Sequence, residues 1–311
     1  MIDIVVVNWN AGAQLRDCVD SVNKYDAGEV SRIIIVDNGS TDGSADAVEG
    51  MSKVEIIRTG KNLGFGAACN IGAKSGNSPY ILFLNPDTRV EEKSLSVPLS
   101  FMEQEQHQKV GICGIQLSDE RGAISRSCAR YPTLTTFVSS ALGLDKIPGL
   151  KRTGLHMYDW QHDETIQVDH VIGAFYLIRR ELFEAVNGFD ERFFVYLEDL
   201  DLSKVVNDAG WKSWYITEAK AFHAGGGSSR QVKVHRLFYS LRSRLLYAFK
   251  HFSAGQAWIF FVITNIVEPF TRSIWCLMRG DFTGVKHTWA AYRMLWGNMK
   301  YILRGEGRYN P

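Results

Sequence analysis

Four short stretches of this sequence combine residue types that could do chemistry. Asp37-Asn38-Gly39-Ser40-Thr41-Asp42-Gly43-Ser44 directly follows a run of Ile and Val. In open α/β sheets, ligands bind beyond the carboxyl ends of the strands, so a polar, glycine-bearing turn there is placed to receive a nucleotide. Asp37 could accept a hydrogen bond from a pyrimidine ring N–H, although Ser, Asp and Gly also serve as helix caps and turns. Asn85-Pro86-Asp87 closes the run Tyr80–Leu84. A carboxylate presented by that turn can reach a divalent cation bridging two phosphates, since hard cations take oxygen ligands; an ordinary Asx turn is the alternative. In Phe194-Val195-Tyr196-Leu197-Glu198-Asp199-Leu200-Asp201, three carboxylates lie within four positions. One of them could serve as a general base, while the acidic first turn of a helix has the same composition. His223-Ala224-Gly225-Gly226-Gly227-Ser228-Ser229 sets a histidine beside a glycine run. It could complete a metal shell, or be structural.

These residues need a frame to hold them. Residues 2–7 and 32–36 are short Ile- and Val-rich runs, as expected of strands buried on both faces of a parallel sheet. Ala13 to Val22 has apolar residues near helical spacing, and Val54 to Ile57, Ala67 to Ala73 and Tyr80 to Leu84 repeat the strand, helix, strand order. Four strands with crossovers predict an α/β fold built on an open sheet. Val110 to Leu117 and Gly173 to Arg179 read as further strands, Glu181 to Val186 and Leu200 to Ala209 as helices. Ser118 to Val168 shows no sustained period and reads as loops around a cleft. No G-x-G-x-x-G follows the first strand and no Walker A sequence occurs, which argues against a dinucleotide dehydrogenase and a P-loop ATPase.

Composition places the 311 residues, 45% of them apolar, among ordinary globular proteins. The five cysteines are widely spaced and never form C-x-x-C, so neither a disulfide framework nor a thiolate metal site is expected, and a reducing compartment is the simpler reading. Met1 leads straight into strand-like residues without a secretory signal pattern. The net charge of +1 conceals an asymmetry: residues 226–311 carry 13 Lys or Arg against 3 Asp or Glu. From Val232 to about Lys250 the pattern is helical, and the apolar run Ala257 to Ile266 is interrupted by Glu268, Pro269 and Arg272 before it is long enough to span a bilayer. Such a basic, aromatic tail could attract anionic lipid or nucleic acid, and composition alone does not choose between them; it could also pack against the body or another subunit, as in a homodimer.

Taken in order, VVNWN, IIIVDNGSTDGS, NLGFGAACNIG, ILFLNPDT, VIGAFYLIRRELFEAVNGFDERFFVYLEDLDL and HAGGGSS resemble the family 2 glycosyltransferases, most closely their rhamnosyltransferase-like branch. The match covers approximately residues 1–230, and the joint order of the blocks is far more specific than any one of them. The resemblance implies a GT-A fold: a Rossmann-like, mostly parallel central sheet flanked by helices. It divides the chain into a catalytic domain, 1–230, and a C-terminal basic aromatic helical extension, 231–311. Within the domain, 1–117 would bind the nucleotide-sugar and 118–230 the acceptor.

The resemblance also assigns roles. Val7 and Asn8 would begin the nucleotide pocket, Asp37 would contact the pyrimidine, and Asn62, Gly64, Gly66 and Asn70 would shape the loop and helix beside nucleoside and sugar. Asp87 stands where relatives carry the last Asp of a D-x-D motif; Asn85 occupies its first acidic position, so this metal site has fewer carboxylates than the fuller pattern. His223 would join Asp87 on Mg²⁺ or Mn²⁺ at the donor diphosphate, Asp199 would be the catalytic base, and Glu198 would position the acceptor. The implied reaction is single displacement with inversion at the anomeric carbon. The donor would be dTDP-β-L-rhamnose, although a UDP-hexose or UDP-galactofuranose would leave much the same signature. The acceptor would be a saccharide, of the polyprenyl-diphosphate-linked kind that is extended on the cytoplasmic face of the plasma membrane. Trp258, Phe260, Phe261, Trp275 and Trp289 would then sit in the membrane interface, and nucleic acid is not an expected partner. A nucleotide-sugar-binding protein of the same fold that has lost catalysis is the main rival, kept open by Asn85.

Overall fold

The Ile- and Val-rich runs form strands because both their faces are covered. All seven residues of β1 (Ile2–Asn8) and all five of β4 (Tyr80–Leu84) are buried, so these strands need no polar alternation. The computed structural model describes residues 1–25, 28–147, 149–150, 153–225 and 233–305. Their chain order is β1, α1 (Ala13–Tyr25), β2 (Val30–Asp37), β3 (Val54–Arg58), α2 (Phe65–Ser75), β4, β5 (Thr88–Val90), α3 (Ser96–Glu103), β6 (Val110–Ser118) and β7 (Cys128–Ala129). Then come α4 (Leu134–Leu142), β8 (Ile166–Val168), β9 (His170–Val171), β10 (Phe175–Arg179), α5 (Arg180–Ala185), α6 (Glu198–Asp208) and β11 (Lys212–His223). The C-terminal helices are α7 (Lys233–His251), α8 (Ala254–Val262), a π-helical turn Ile263–Val267, α9 (Glu268–Met278), α10 (Phe282–Gly297) and α11 (Met299–Leu303).

The chain forms two compact units. The first comprises Met1–Ala129, Trp160–Asp190 and Asp199–Ser228. Its sheet has the order β3-β2-β1-β4-β10-β6-β11-β5, with β8 also on β11. Strands β3, β2, β1, β4, β6 and β11 share one direction; β10, β5 and β8 run against it. Helix α1 buries Leu15, Cys18, Val19 and Val22, one helical stripe, in the same core as Ile4, Val6, Ile33 and Ile35. A buried ion pair ties the far ends together: Asp3 Oδ2 accepts from Arg180 Nη2 at 2.9 Å and from the Ser78 amide at 2.7 Å. Arg180 also donates to the carbonyls of Ser78 and Ala73, so its charge is buried with its hydrogen bonds made. The cysteines are free, as expected, and four of the five are buried.

The second unit holds Arg130–Asp159, Glu191–Glu198 and the C-terminal helices. Its core includes Phe137, Leu241, Leu245, Tyr247, Phe260, Tyr292 and Leu295, with the rings of Phe137 and Phe260 4.9 Å apart. Two expectations are corrected here. Residues 134–142, read as irregular, form α4: Thr133 caps it, Gly143 ends it in the left-handed region, and Phe137 and Ala141 face inward. The helix has only nine residues, too few for its period to stand out. Phe260, read as an interfacial aromatic, is fully buried; Phe261, Trp275 and Trp289 are half-buried, and of the five only Trp258 is exposed. The exposed apolar row is instead Ile259, Val262, Ile266, Phe270, Ile274 and Met278, one side of the continuous α8-to-α9 helix. Among the described residues, no helix is long and apolar enough to cross a membrane.

At the centre of this unit Glu268 is fully buried between Arg244 and Arg272, each 2.8 Å from Oε1. Burial alone would raise its carboxyl, but the two guanidinium groups outweigh that and hold it below the ordinary carboxylate range. Such a group stabilises the fold fully above its unfolded pKa of about 4.3, and the contribution fades as pH falls through the lower folded value. Glu268→Gln should therefore cost about 3–5 kcal/mol near neutrality. In denaturant unfolding curves at a series of pH values the deficit should shrink in acid; a deficit independent of pH would contradict the assignment.

Candidate active site

The carboxyl ends of β1 and β2 are stitched together by side-chain amides. Asn8 pairs in register with Asp37 and its Nδ2 lies 3.1 Å from Asp37 Oδ1, 3.1 Å from Ser40 Oγ and 2.9 Å from Ser44 Oγ. Asn38 reaches the next loop: its Oδ1 accepts from the Leu63 amide at 2.9 Å, and its Nδ2 donates to Asn62 Oδ1 and the Gly64 carbonyl. Asn62 Oδ1 also accepts from the Gly64 amide, just before α2. Between these locks Gly39 has φ +79°, and a Cβ there would lie 2.7 Å from the Lys61 backbone. Asp42 accepts from the Gly12 amide and from both the amide and hydroxyl of Ser44. Burial would raise its carboxyl, but these bonds outweigh it and hold the group below its ordinary value. Val7 and Asp37 are buried with this turn, and Gly66 lies buried in α2.

Asn85 and Asp87 follow β4. The Asn85 amide donates to the Ala174 carbonyl at 3.1 Å, and Thr88 Oγ1 donates to the same oxygen at 3.2 Å. Strand β5 then pairs with the end of β11, Thr88 opposite His223, which sets His223 Nε2 3.3 Å from Asp87 Oδ1. Burial would raise the Asp87 carboxyl, yet the hydrogen bond and charge of His223 hold it below the usual range. A hollow of about 100 Å³ adjoins Asp87, lined by Gln14, Asp17, Arg89 and Phe222 among others. A larger hollow of about 350 Å³ lies between α3 and β11 and is lined by none of these residues.

Asp199 comes to the same edge through β10. Because β10 is antiparallel to β4, with Phe175 opposite Leu84, the residues entering β10 lie where β4 ends. There the Gly173 amide donates to Asp199 Oδ2 at 2.7 Å, while Oδ1 accepts from the Leu200 amide at 2.8 Å. A Cβ on Gly173 would lie 3.2 Å from Oδ2, so glycine lets the backbone come this close. His170 Nε2 stands 3.7 Å from the same oxygen. Glu198 is buried as the first residue of α6, preceded by Tyr196 and Leu197 at φ +70° and +67°. Two successive non-glycine residues in that region cost about 1–3 kcal/mol each, strain of the kind that collects at functional turns.

The family profile of Glycosyl transferase family 2 matches residues 3–186. The chain belongs to that family. Among its curated relatives is the N-acetylglucosaminyl-diphospho-decaprenol L-rhamnosyltransferase of Mycobacterium tuberculosis, 28% identical over 235 residues, covering 72% of this chain and 76% of the relative. Rhamnosyltransferase WbbL of Escherichia coli is 26% identical over 255 residues, covering 79% and 92%. Two solved structures share the fold. Mannosyltransferase PcManGT from Pyrobaculum calidifontis, in complex with GDP-Man and Mn²⁺, superposes with a TM-score of 0.55 at 15% identity, over 98% of this chain and 85% of its own. S. aureus TarS 1-349 gives 0.52 at 14% identity, over 94% and 91%. The fold is thus of GT-A type, a mostly parallel sheet flanked by helices with a C-terminal helical extension, and the chain is a glycosyltransferase.

The structure gathers Asn8, Asp37, Asn62, Gly64, Asn85, Asp87, Asp199 and His223 around the strand ends of the first unit. Asn70 is engaged elsewhere: its amide donates to the Phe189 carbonyl and accepts from the Phe189 amide, both at 2.9 Å, latching α2 to that loop. Gly226 to Ser229 lie outside the described residues. His170 carries no signal in the sequence; a lone His gives none until its neighbours are known. Among the described residues, no three His, Cys, Asp or Glu side chains form a metal-binding group. Asp87 and His223, 3.3 Å apart, present one oxygen and one nitrogen donor side by side. Such a pair fits Mg²⁺ or Mn²⁺ held largely by phosphate and water oxygens.

The Gly39 geometry yields a direct test. Gly39→Ala should lower stability by about 1–3 kcal/mol, because the turn must leave φ +79° or push Lys61 away. An unfolding midpoint equal to that of the unaltered chain would contradict the close approach.

Proposed function

We propose that the chain is a metal-dependent, inverting glycosyltransferase that moves L-rhamnose from dTDP-β-L-rhamnose to a polyprenyl-diphosphate-linked saccharide in cell-surface polysaccharide synthesis. One observation carries the catalytic part of this reading. The Ala174 carbonyl takes the Asn85 and Thr88 hydrogen bonds, and its neighbour Gly173 holds Asp199, so a carboxylate base stands one short turn from the Asp87 segment. The names of the two rhamnosyltransferase relatives support the sugar, and the decaprenol in one of them supports the lipid-linked acceptor.

On this reading Val7 and Asn8 floor the nucleotide pocket, Asp37 accepts from the pyrimidine ring, and Asn62, Gly64, Gly66 and Asn70 shape the wall beside nucleoside and sugar. Asp87 and His223 hold Mg²⁺ or Mn²⁺, and Asn85 lines the donor side. When bound, the ion offsets charge on the departing diphosphate. Asp199 removes the acceptor hydroxyl proton as that oxygen attacks the anomeric carbon from the face opposite the leaving group, and the backbone donors Gly173 and Leu200 keep its carboxylate aimed. Glu198 orients the acceptor. Residues 1–117 serve the donor and 118–230 the acceptor, with 231–311 as a helical accessory.

The membrane part rests on the exposed row Ile259, Val262, Ile266, Phe270, Ile274 and Met278, each 48–73% exposed. Contiguous apolar surface of this kind marks an interaction face, and exposed Arg279, Lys286, Arg293 and Lys300 on the following segments suit anionic headgroups at the cytoplasmic surface.

Two experiments test these parts. In a panel of dTDP- and UDP-sugars with and without Mg²⁺ or Mn²⁺, dTDP-rhamnose should be consumed fastest and only with metal; preference for a UDP-hexose or UDP-galactofuranose would overturn the donor. In the same assay Asp199→Asn should lower turnover about 10²–10⁴-fold with donor binding retained, and near-normal turnover would remove Asp199 as base. The double variant Phe270→Asp/Ile274→Asp should abolish co-sedimentation with phosphatidylglycerol vesicles. Unchanged co-sedimentation, or dissociation of a dimer in its place, would assign the row elsewhere.

A further inference from the structure

The outer edge of β11 opens between two strand partners. Strand β8 pairs with Ser213–Tyr215 and β5 with Ala221–His223, both on the side away from β6. Between them the register against β6 slips: Ile216 faces Ile115 and Lys220 faces Gln116, so Thr217, Glu218 and Ala219 bulge out of the ladder. A bulge of this kind re-aims a side chain. Both of its ends are pinned. Thr165 Oγ1 accepts from the Thr217 amide at 3.0 Å and donates to Glu218 Oε2 at 2.5 Å, while Ser94 Oγ donates to the Lys220 carbonyl at 2.5 Å. Side chains thus meet backbone groups that an added strand would use, and the opening is held in shape.

This opening is the mouth of the hollow of about 350 Å³ between α3 and β11. Its floor is apolar: Val97, Ile216 and Phe101, the last stacked on His107 with ring centroids 3.8 Å apart. Ser100 and Gln104 stand on one side and Thr165 and Glu218 on the other. Among the described lining residues Glu218 alone is charged, and the hydrogen bond from Thr165 holds its carboxyl below the usual range, so it accepts at neutral pH. That charge repels phosphates and nucleotides. An amine would gain from the carboxylate but makes no use of the ring and the two aliphatic side chains. A sugar uses both parts: its C–H face covers the apolar floor, while its hydroxyls donate to the carboxylate and exchange hydrogen bonds with the amide and hydroxyl groups.

We propose that this hollow is a second saccharide site, which holds a neutral sugar residue of the growing glycan apart from the transfer centre. The inference rests on the acceptor being a saccharide, and not on the donor, the metal or the base. Glu218 and His223 are five residues apart on β11, at most about 17 Å of strand at ~3.3 Å per residue, a span that a short run of sugars bridges. A distal sugar held there raises the local concentration of the acceptor's end at the transfer centre.

Methyl ¹H–¹³C spectra of the full chain read the site without turnover, with Ile216→Val and Val97→Ala used to assign the signals. L-rhamnose, N-acetylglucosamine and a disaccharide of the two should each move the Ile216 and Val97 methyl signals, saturating at about millimolar concentration. Affinity should fall about 10-fold in Glu218→Ala, and binding should be lost in Ser100→Trp, where an indole on the exposed side of α3 fills the hollow. No movement with any of the three sugars, or movement only with inorganic phosphate or putrescine, would overturn the proposal. In transfer assays Ser100→Trp should raise KM about 10-fold for an acceptor carrying several sugars and leave kcat and the KM of the shortest acceptor unchanged; equal effects on both acceptors, or none, would contradict the site's role. If the unaltered chain transfers to no saccharide while the methyl signals move, the acceptor reading has failed; if transfer proceeds while they stay still, only the second site has failed.

Discussion

The candidate site depends on the antiparallel pairing of β10 with β4. In a wholly parallel sheet, residues 173 and 174 would enter at the far end, away from the nucleotide turn. Reversal brings them to the edge where β1, β2 and β4 end, with Phe175 opposite Leu84. The Ala174 carbonyl then becomes a junction, accepting from Asn85 and Thr88, while the neighbouring Gly173 amide takes Asp199. Positions more than a hundred residues apart in the chain are fixed at one edge by three backbone groups, the Thr88 hydroxyl and one carboxylate. Nothing in that arrangement has to move for the Asp199 carboxylate to be aimed.

The rest of the edge follows the same economy. Asn8 and Asn38 use both ends of their amides, and Asn62 its Oδ1, to bind turns that would otherwise be loose, and three donors from Gly12 and Ser44 hold the Asp42 carboxyl below its ordinary value. Polar groups in a partly buried cleft are costly unless satisfied, so a lattice of this kind fixes geometry as well as offsetting desolvation. Asp87 and His223 differ: each leans on the other across β5 and β11, a contact that a cation and phosphate oxygens can replace. On the proposed reading, the rigid turn would take the nucleoside and the exchangeable acid–imidazole pair would face the diphosphate.

Much of this was legible in residue order. Strands β1, β2 and β4 stood out because burial on both faces leaves unbroken Ile and Val, and the acidic and amide residues at their ends stood out because strand ends receive ligands. The direction of β10 was not legible, since a buried strand reads alike both ways. Helix α4 was missed for its shortness, and β11 because a register shift between Ile216 and Lys220 interrupts its pattern. Phe260 and Trp258 look the same in sequence, yet one is core and the other exposed; only the partners of α8 distinguish them. Asn70 is a motif residue whose amide latches α2 to Phe189, a partner that the residue order does not announce. His170 had no signal of its own, and its place beside Asp199 emerges only once β9 and α6 are folded together.

The claim beneath all of this is that Asp37, Asp87, His223 and Asp199 face one bound nucleoside diphosphate-sugar. A crystal structure of the chain with Mn²⁺ and dTDP tests it most directly. The account predicts that Asp87 and His223 would hold the ion beside the diphosphate, with the pyrimidine against Asp37 and Asp199 a sugar's width from the terminal phosphate. A nucleotide bound elsewhere, or an ion that leaves Asp87 paired with His223, would contradict it.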